Sequence, residues 1–559
     1  MQIDNIPNQN WKREETVAHV VAFESAVSAG TSQRMFASEH GVPRTTLQYW
    51  LARKNTIDAS DVLVSFFESP EGLAFLHRLV IALQFVMDFL CSCGLRPIAM
   101  VLELSGLSPF VANSFGVRRK LGAQMTEKIR TYAKEQRSAL SAQMTPKRIT
   151  VCEDETFHPE ICLVAIEPVS NFILLEEYAE GRDAETWTAA LNQALLGLPV
   201  RVIQSTSDEG KGLLRHVQSG LSAHHSPDIF HVQQDLSRAT SIALAGQVRN
   251  AQKTVSEATK QTEAQQAQKA KWEQTEHGPG RPPDFEARIA QAKAAEVEAQ
   301  QELDVARERQ ESAHRAIRAI STSYHPVDLT TGALRTTEQV TAELESHFTD
   351  IKTIATEASL PERSLKGIDK AHRVLSALDC TMTFFHSEVD AHLDTQNLPP
   401  PLAQVVKQTL VPAAYLEKAA RKAKPADSRP PLLDLAGRLN AEAQPKLAEL
   451  SEEQRTAIAK AANDCADIFQ RSSSCVEGRN GQLSLCHHSL HNLSPARLEA
   501  LTAVHNYFIQ LPNGTTAAER FFGHQPAKMF PWLLENLDMP ARPAAKRNGV
   551  KITQASMLN

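Results

Sequence analysis

The sequence predicts a multi-domain, mostly α-helical chain built around one small α/β core. Three observations carry this. Helical periodicity and helix-favouring composition run through most of the 559 residues, a length that suits several domains rather than one. Only between about 148 and 232 does the apolar pattern change to the period of strands. About 230 further helical residues then follow before a last compact segment, so the α/β part is expected to be interrupted by an insertion.

From Trp11 to Ala29 the residues Val17, Val20, Val21, Phe23, Ala26 and Val27 form an apolar stripe at close to helical spacing. Thr31 or Ser32 caps a second helix ending at His40, Gly41 turns the chain, and Pro43 to Arg53 forms a third. Residues 1–57 are therefore expected to be a helix-turn-helix domain with Val42, Leu47 and Trp50 in its core. Arg44, Thr45, Gln48 and Tyr49 fall on the last helix, where they would face the major groove of DNA. The plainer alternative is a three-helix packing unit. Residues 58–145 are helical again, with Leu95 to Ser108 suggesting a second, looser helix-turn-helix and a following helix from Pro109 through Lys120. From Arg118 to Arg148 nine Lys or Arg stand against Glu127 and Glu135, which makes Arg118, Arg119 and Lys120 candidate phosphate contacts. A helical linker with a solvated basic face accounts for these residues equally well.

Arg148 to Asp154, Ile161 to Ile166 and Phe172 to Glu177 read as three consecutive strands. Asp183 caps a helix through Leu195, Val200 to Ser207 is a fourth strand, Gly210 to Gly220 a helix, and Asp228 to Val232 a short fifth strand. Residues 146–236 thus form the first part of the core. In the insertion, 237–470, two Ala-, Glu-, Gln- and Lys-rich stretches flank a Gly- and Pro-containing breaker, which predicts an antiparallel coiled-coil hairpin over about 241–320. Its length would be on the order of 50 Å at about 1.5 Å per residue. Ala251, Val255 and Ala258 against Ile289, Ala292 and Val305 imply close helix spacing, and Thr262 and Gln265 in the same seam imply modest stability. Five further helices, 340–355, 364–391, 402–423, 431–450 and 453–473, read as a bundle. Arg421, Lys422, Lys424 and Arg429 sit at a proline-rich boundary and read as an exposed loop rather than a DNA contact. Residues 471–530 complete the core, and 531–559 form a basic tail.

Composition narrows the classes of function. A formal net charge of -6 argues against a uniformly basic nucleic-acid binder but not against a local positive face. Eight cysteines without a CxxC pair suggest reduced structural thiols, and Cys475, Cys486, His487 and His488 match no zinc spacing. Leu79 to Leu90 is too short to span a bilayer, and the first residues lack the pattern of a signal peptide. A soluble, cytoplasmic protein with no membrane partner is expected.

The chemistry is expected at three acidic positions. Glu153, Asp154 and Glu155 end the first strand, and such a cluster must be splayed to solvent or neutralised by a cation. Asp208 ends the fourth strand beside Glu209, and Glu477 lies on a late helix. Strand alternation separates Asp154 from its neighbours, although a register shift of one would make Glu153 or Glu155 the ligand. Asp235, just after the fifth strand, rivals Glu477 as the third acid.

The order and spacing of four motifs resemble the DDE transposases of the retroviral-integrase superfamily. They are Asp154-Glu155-Thr156, Ser207-Asp208-Glu209-Gly210, Val476-Glu477 followed by Asn480-Gly481, and Asn513-Gly514-Thr515-Thr516-Ala517-Ala518-Glu519-Arg520-Phe521-Phe522-Gly523. The resemblance covers about 146–236 and 471–525; the Ala37 to Leu51 stretch separately resembles transposase and homeodomain-like DNA-binding modules. A helical insertion before the last Glu is similar in layout to transposases of the hobo-Activator-Tam type. The resemblance implies an RNase H-like core and two Mg²⁺ or Mn²⁺ ions, with Asp154 bridging both and Asp208 and Glu477 holding one each. His231, Arg479 and Asn480 would surround them, His231 and Arg479 near the phosphate. It further implies double-stranded DNA as partner, both terminal inverted repeats and target, at least a homodimer, and work at the bacterial nucleoid. An inactive DNA-binding descendant and a coiled-coil scaffold remain as alternatives.

Overall fold

The computed structural model describes residues 11, 13–54, 61–157, 160–278, 280–423, 426–490 and 493–540. Lys424 and most of the basic tail fall outside the described residues. The chain begins with three helices, α1 (Arg13–Ser28), α2 (Gln33–Glu39) and α3 (Arg44–Lys54). Ser32 caps α2 by accepting from the Met35 amide at 3.2 Å, and Gly41 adopts φ +64°, a left-handed turn that a side chain resists. Phe23, Phe36, Ala37, Val42 and Leu47 close the core, with Trp50 packed against it. The three expected helices are present.

Four helices follow: α4 (Asp61–Glu68), α5 (Pro70–Phe85), α6 (Leu95–Leu104) and α7 (Phe115–Ser141). The last begins at Phe115 rather than Pro109. Phe110 and Val111 are buried as a plug under the turn, and Ser114 supplies the N-cap by accepting from the Val117 amide. A π-helical turn, Val86–Leu90, extends α5, so that Pro70–Leu90 is 21 residues long and apolar enough by length and composition to cross a membrane. That exceeds the Leu79 to Leu90 run expected from sequence. Its Leu76, Val80, Ile81 and Phe85 pack instead into one apolar cluster with α7, the sheet and residues 476–537.

The sheet has five strands in the order β3-β2-β1-β4-β5. β1 (Lys147–Phe157), β2 (Ile161–Glu167) and β3 (Phe172–Ala179) are an antiparallel meander. After α8 (Ala184–Leu195), β4 (Val200–Ser207) returns parallel to β1; α9 (Lys211–Arg215) and a π-helical turn, His216–Gly220, lead to β5 (His224–Pro227), parallel to β4. The expected fifth strand at Asp228 to Val232 is corrected on both counts. The strand is the polar His224-His225-Ser226-Pro227, and Asp228 ends it by capping a helix, accepting from the Phe230 amide at 2.7 Å.

That helix, α10 (Ile229–Glu273), runs 45 residues without interruption from the sheet into the insertion, so the expected boundary at 236 lies inside one helix. It pairs with α11 (Phe285–Ser323) as the expected antiparallel hairpin. The seam is Leu244, Val248, Ala251 and Val255 against Ala299, Leu303, Ala306 and Ala313. Val305 is 48% exposed rather than in the seam, because the 3-4 spacing of its small neighbours takes the inner face. Thr262 is buried, and Thr259 donates to Glu296 at 2.7 Å, so the outer half of the arm is held by polar contacts.

The rest of the insertion is a bundle of α12 (Thr337–Glu357), α13 (Glu362–His372), α14 (Leu375–Asp394), α15 (Pro400–Val405), α16 (Val411–Lys422), α17 (Arg429–Leu447) and α18 (Glu452–Ile468). One expected helix, 364–391, is two. The chain then returns to the sheet through α19 (Ser474–Leu490), α20 (Pro495–Tyr507), α21 (Ala517–Phe522) and α22 (Met529–Asn536). The 513–523 motif acts here as a buckle. Arg520 donates to the Ser170 carbonyl between β2 and β3, and the Lys147 ammonium at the start of β1 donates to the Phe521 carbonyl at 2.7 Å. The architecture is mostly helical around a small mixed sheet.

Candidate active site

The register of the parallel pair sets the site. Cys152 lies beside Thr206, so two residues on, Asp154, still in β1 and paired with Val164 of β2, stands beside Asp208, the first residue past β4. Glu477 comes from the first turn of α19, which packs against β1. Asp154 accepts from the Glu155 amide at 2.9 Å and from the Asn480 amide side chain at 3.0 Å. Asp208 accepts from the Gly210 amide at 2.9 Å, and His231 Nε2 stands 3.6 Å from Glu477 Oε1. Among the described residues none of the three acids pairs with a lysine or arginine, and no three His, Cys, Asp or Glu side chains are gathered closely enough to hold an ion.

Burial first, and then the Glu477 carboxylate, push Asp154 up to about 7 from 3.8. The Glu155 amide and His231 act in the opposite direction, and Asp208 adds to the rise. The folded chain therefore holds a proton there that the unfolded chain releases between about pH 4 and about pH 7. Its contribution is a loss of stability as pH rises through that window, complete above about 7. Unfolding midpoints measured without divalent ions should fall across this range in wild type, and less steeply in Asp154→Asn. A metal ligand must be deprotonated, so for an ion held by Asp154 the Mn²⁺ affinity would rise roughly tenfold per pH unit below about 7 and level off above it. Flat affinity from pH 5 to 8 would remove Asp154 from the ligands.

The rival acids are set apart by burial and partners, although Glu155 and Glu209 stay near Asp208. Glu153 is buried on the opposite face, where it accepts from Ser205 Oγ and meets His216 Nε2 at 3.2 Å. Glu155 accepts from Trp187 Nε1 at 3.2 Å. Glu209 is exposed, and Asp235 pairs with Lys370 at 3.1 Å. Of the surrounding residues, Asn480 donates to Asp154 and His231 faces Glu477, and among the described residues Asn480 Oδ1 and His231 Nε2 have no hydrogen-bond partner. Arg479 is a correction: it is buried and bidentate to Glu176 at 2.7 and 2.6 Å, so it braces α19 on β3 and is not available to a phosphate.

One residue escaped the sequence reading. Asp228 is buried, its amide donates to the Ser207 carbonyl at 3.0 Å, and its carboxylate accepts from the Ser473 amide at 2.9 Å as well as from Ser473 Oγ. It ties the end of β4, the start of α10 with His231, and the start of α19 with Glu477. The signal available was an N-cap residue ahead of an apolar-periodic run.

On the helix-turn-helix, Arg44, Thr45, Gln48 and Tyr49 are all exposed along α3. Arg119 and Lys120 are exposed on α7. Arg118 is corrected: its side chain is buried, donates to the Ala112 carbonyl at 2.8 Å, and is pushed down to about 10 by burial. It points inward from α7 and cannot touch a backbone phosphate from there.

Residues 406–549 match a family of unknown function, DUF6399, over about a quarter of the chain, a stretch that includes Glu477, Asn480 and the buckle. No curated protein and no solved structure matches the chain.

Proposed function

We propose that this chain is a DDE-type transposase that binds the terminal inverted repeats of a mobile element, cleaves DNA at its ends and joins them to target DNA. The observation that supports the reading is that Asp208, just past the end of β4, and Glu477, on a helix over 260 residues further on, both lie near enough to Asp154 on β1 to raise its pKa. The sheet order, with an antiparallel meander followed by two parallel strands, is in keeping with an RNase H-like core. A hard divalent cation suits the donor set, since burial first, and then the nearby Glu477 carboxylate, raise Asp154, and a bound cation would offset both. Asp154, Asp208 and Glu477 would hold two Mg²⁺ or Mn²⁺ ions. When bound, such ions activate the attacking oxygen and stabilise charge on the leaving one.

The chain's own groups supply the rest. Asn480 donates to one Asp154 oxygen and the Glu155 amide to the other, which leaves each oxygen a second lone pair, and His231 stands where it can orient Glu477. The helix-turn-helix offers Arg44, Thr45, Gln48 and Tyr49 to the groove, with Arg119 and Lys120 as phosphate contacts. Two ends must be brought together, so a homodimer or larger assembly is part of the proposal, acting at the nucleoid in the cytoplasm. Full-length protein with labelled DNA carrying the inverted repeats that flank its gene tests the reading. Cleavage and joining should require Mg²⁺ or Mn²⁺ and vanish with a chelator; binding with no cleavage in either metal would overturn it. Replacing Arg44 or Gln48 by alanine should weaken repeat binding by about 1–3 kcal/mol each, roughly 5- to 150-fold, in a mobility-shift titration against unrelated DNA.

A further inference from the structure

Behind the acidic site stands a pair of thiols. Cys152 lies two residues before Asp154 on β1, and Cys475 two residues before Glu477 at the start of α19. Strand alternation turns Cys152 to the same side as Asp154, toward α19. Its sulfur also lies 3.6 Å from the Ser472 carbonyl, in the segment that leads into α19. Cys475 packs against the same apolar cluster that contains Cys152, on the helix that lies against β1. Cys152 is buried and Cys475 half-buried, so a dissolved oxidant meets Cys475 first.

We propose that Cys152 and Cys475 are a redox-modification site, closed to a reversible disulfide by a hydroperoxide, that cross-links β1 to α19 beside the acidic residues. The Cys475 sulfur attacks one peroxide oxygen and the O–O bond breaks. Hydrogen peroxide then releases one water and leaves a sulfenic acid on Cys475. The Cys152 sulfur displaces the hydroxyl from that sulfur, the S–S bond forms and a second water departs. Two thiols lose two electrons and two protons, and the peroxide is reduced to two waters. A dithiol reverses the step by exchange.

The consequence for metal binding rests on the proposed function. A cross-link between β1 and α19 fixes the spacing of the two elements that carry Asp154 and Glu477. Among the described residues no three candidate ligands stand closely enough to hold an ion, so ion binding calls for a small closure that the disulfide resists. The oxidised chain should bind Mn²⁺ about tenfold more weakly than the reduced chain, the scale of effect seen when the support of a ligand is altered.

The test treats the full-length protein with hydrogen peroxide, blocks the remaining thiols, digests it without reduction and maps the peptides by mass spectrometry. Two of the eight thiols should be lost, with one linked peptide pair joining Cys152 to Cys475. Dithiothreitol should restore both, and the link should be absent from Cys475→Ser and from Cys152→Ala. Conversion of Cys475 to a sulfinic acid without a link, or links confined to Cys91, Cys380 or Cys486, would overturn the proposal. Mn²⁺ titration of both redox forms separates the two readings. A link with equal Mn²⁺ affinity in the two forms would overturn its control of the site, and a link in a chain that binds no Mn²⁺ in either form would sink the transposase reading while leaving the disulfide intact.

Discussion

Asp154→Asn, Asp208→Asn and Glu477→Gln should each lower strand joining by about 10³-fold or more, while binding of the same DNA changes less than about twofold. Each replacement keeps the shape of the side chain and removes one of the three carboxylates proposed to hold the ions. Loss of roughly 4 kcal/mol of transition-state charge stabilisation corresponds to about three orders of magnitude in rate. The separation of the two readouts matters, because Asp154 also holds α19 through Asn480. A variant that lost binding and joining together would report a disturbed fold, so unfolding midpoints belong in the same experiment. The matching control is Glu155→Gln. Its carboxylate faces Trp187 on α8, and its joining rate should stay within about threefold of wild type, a difference of well under 1 kcal/mol. If Glu155→Gln were the inactive variant and Asp154→Asn the active one, the assignment of the first ligand would be wrong by one residue.

The second large effect concerns stability. Arg479→Met should destabilise the chain by about 3–5 kcal/mol, because it leaves Glu176 as an uncompensated buried charge. Both oxygens of Glu176 are committed to the Arg479 guanidinium, and Thr502 on α20 donates to it as well, so the pair joins α19, β3 and α20 in one place. Arg479→Met combined with Glu176→Met should recover most of the loss, since an apolar pair of similar volume leaves no charge behind. Urea unfolding of the single and double variants decides the matter. A phosphate-contacting Arg479 would give the reverse pattern, with unchanged stability and weaker DNA binding in the single variant.

These two cases also mark how far the sequence could be read. The strands bearing or preceding Asp154 and Asp208 were legible because period-2 alternation with polar flanks is a local signal; β2, β3 and β4 fell where it pointed, and β1 did so except that it runs past Asp154 to Phe157. The hairpin arm was legible for the same reason at helical period. The short strand His224-His225-Ser226-Pro227 was not. It carries no apolar alternation, and its pairing with β4 comes from position in the sheet rather than from its residues. Arg118 and Arg479 were misread because a cationic side chain beside a motif looks the same whether it faces water or a partner distant in sequence. Glu176 lies 303 residues from Arg479, and no spacing rule reaches that far. Asp228 was overlooked since its role depends on Ser473, which arrives only after the whole insertion.

The unbroken helix α10 has a geometric consequence for the arm. At about 100° of rotation per residue, its outward direction is locked in phase with the turn that carries His231. A single residue removed between Leu236 and Leu244 would swing the hairpin by roughly a quarter turn and advance it about 1.5 Å, without touching any acidic side chain. Seven residues removed would shorten the arm by about 10 Å yet return it almost to its original bearing. Length and direction of the arm are thus separable quantities in this chain, set by residue count alone, and a partner that reads one can be told from a partner that reads the other.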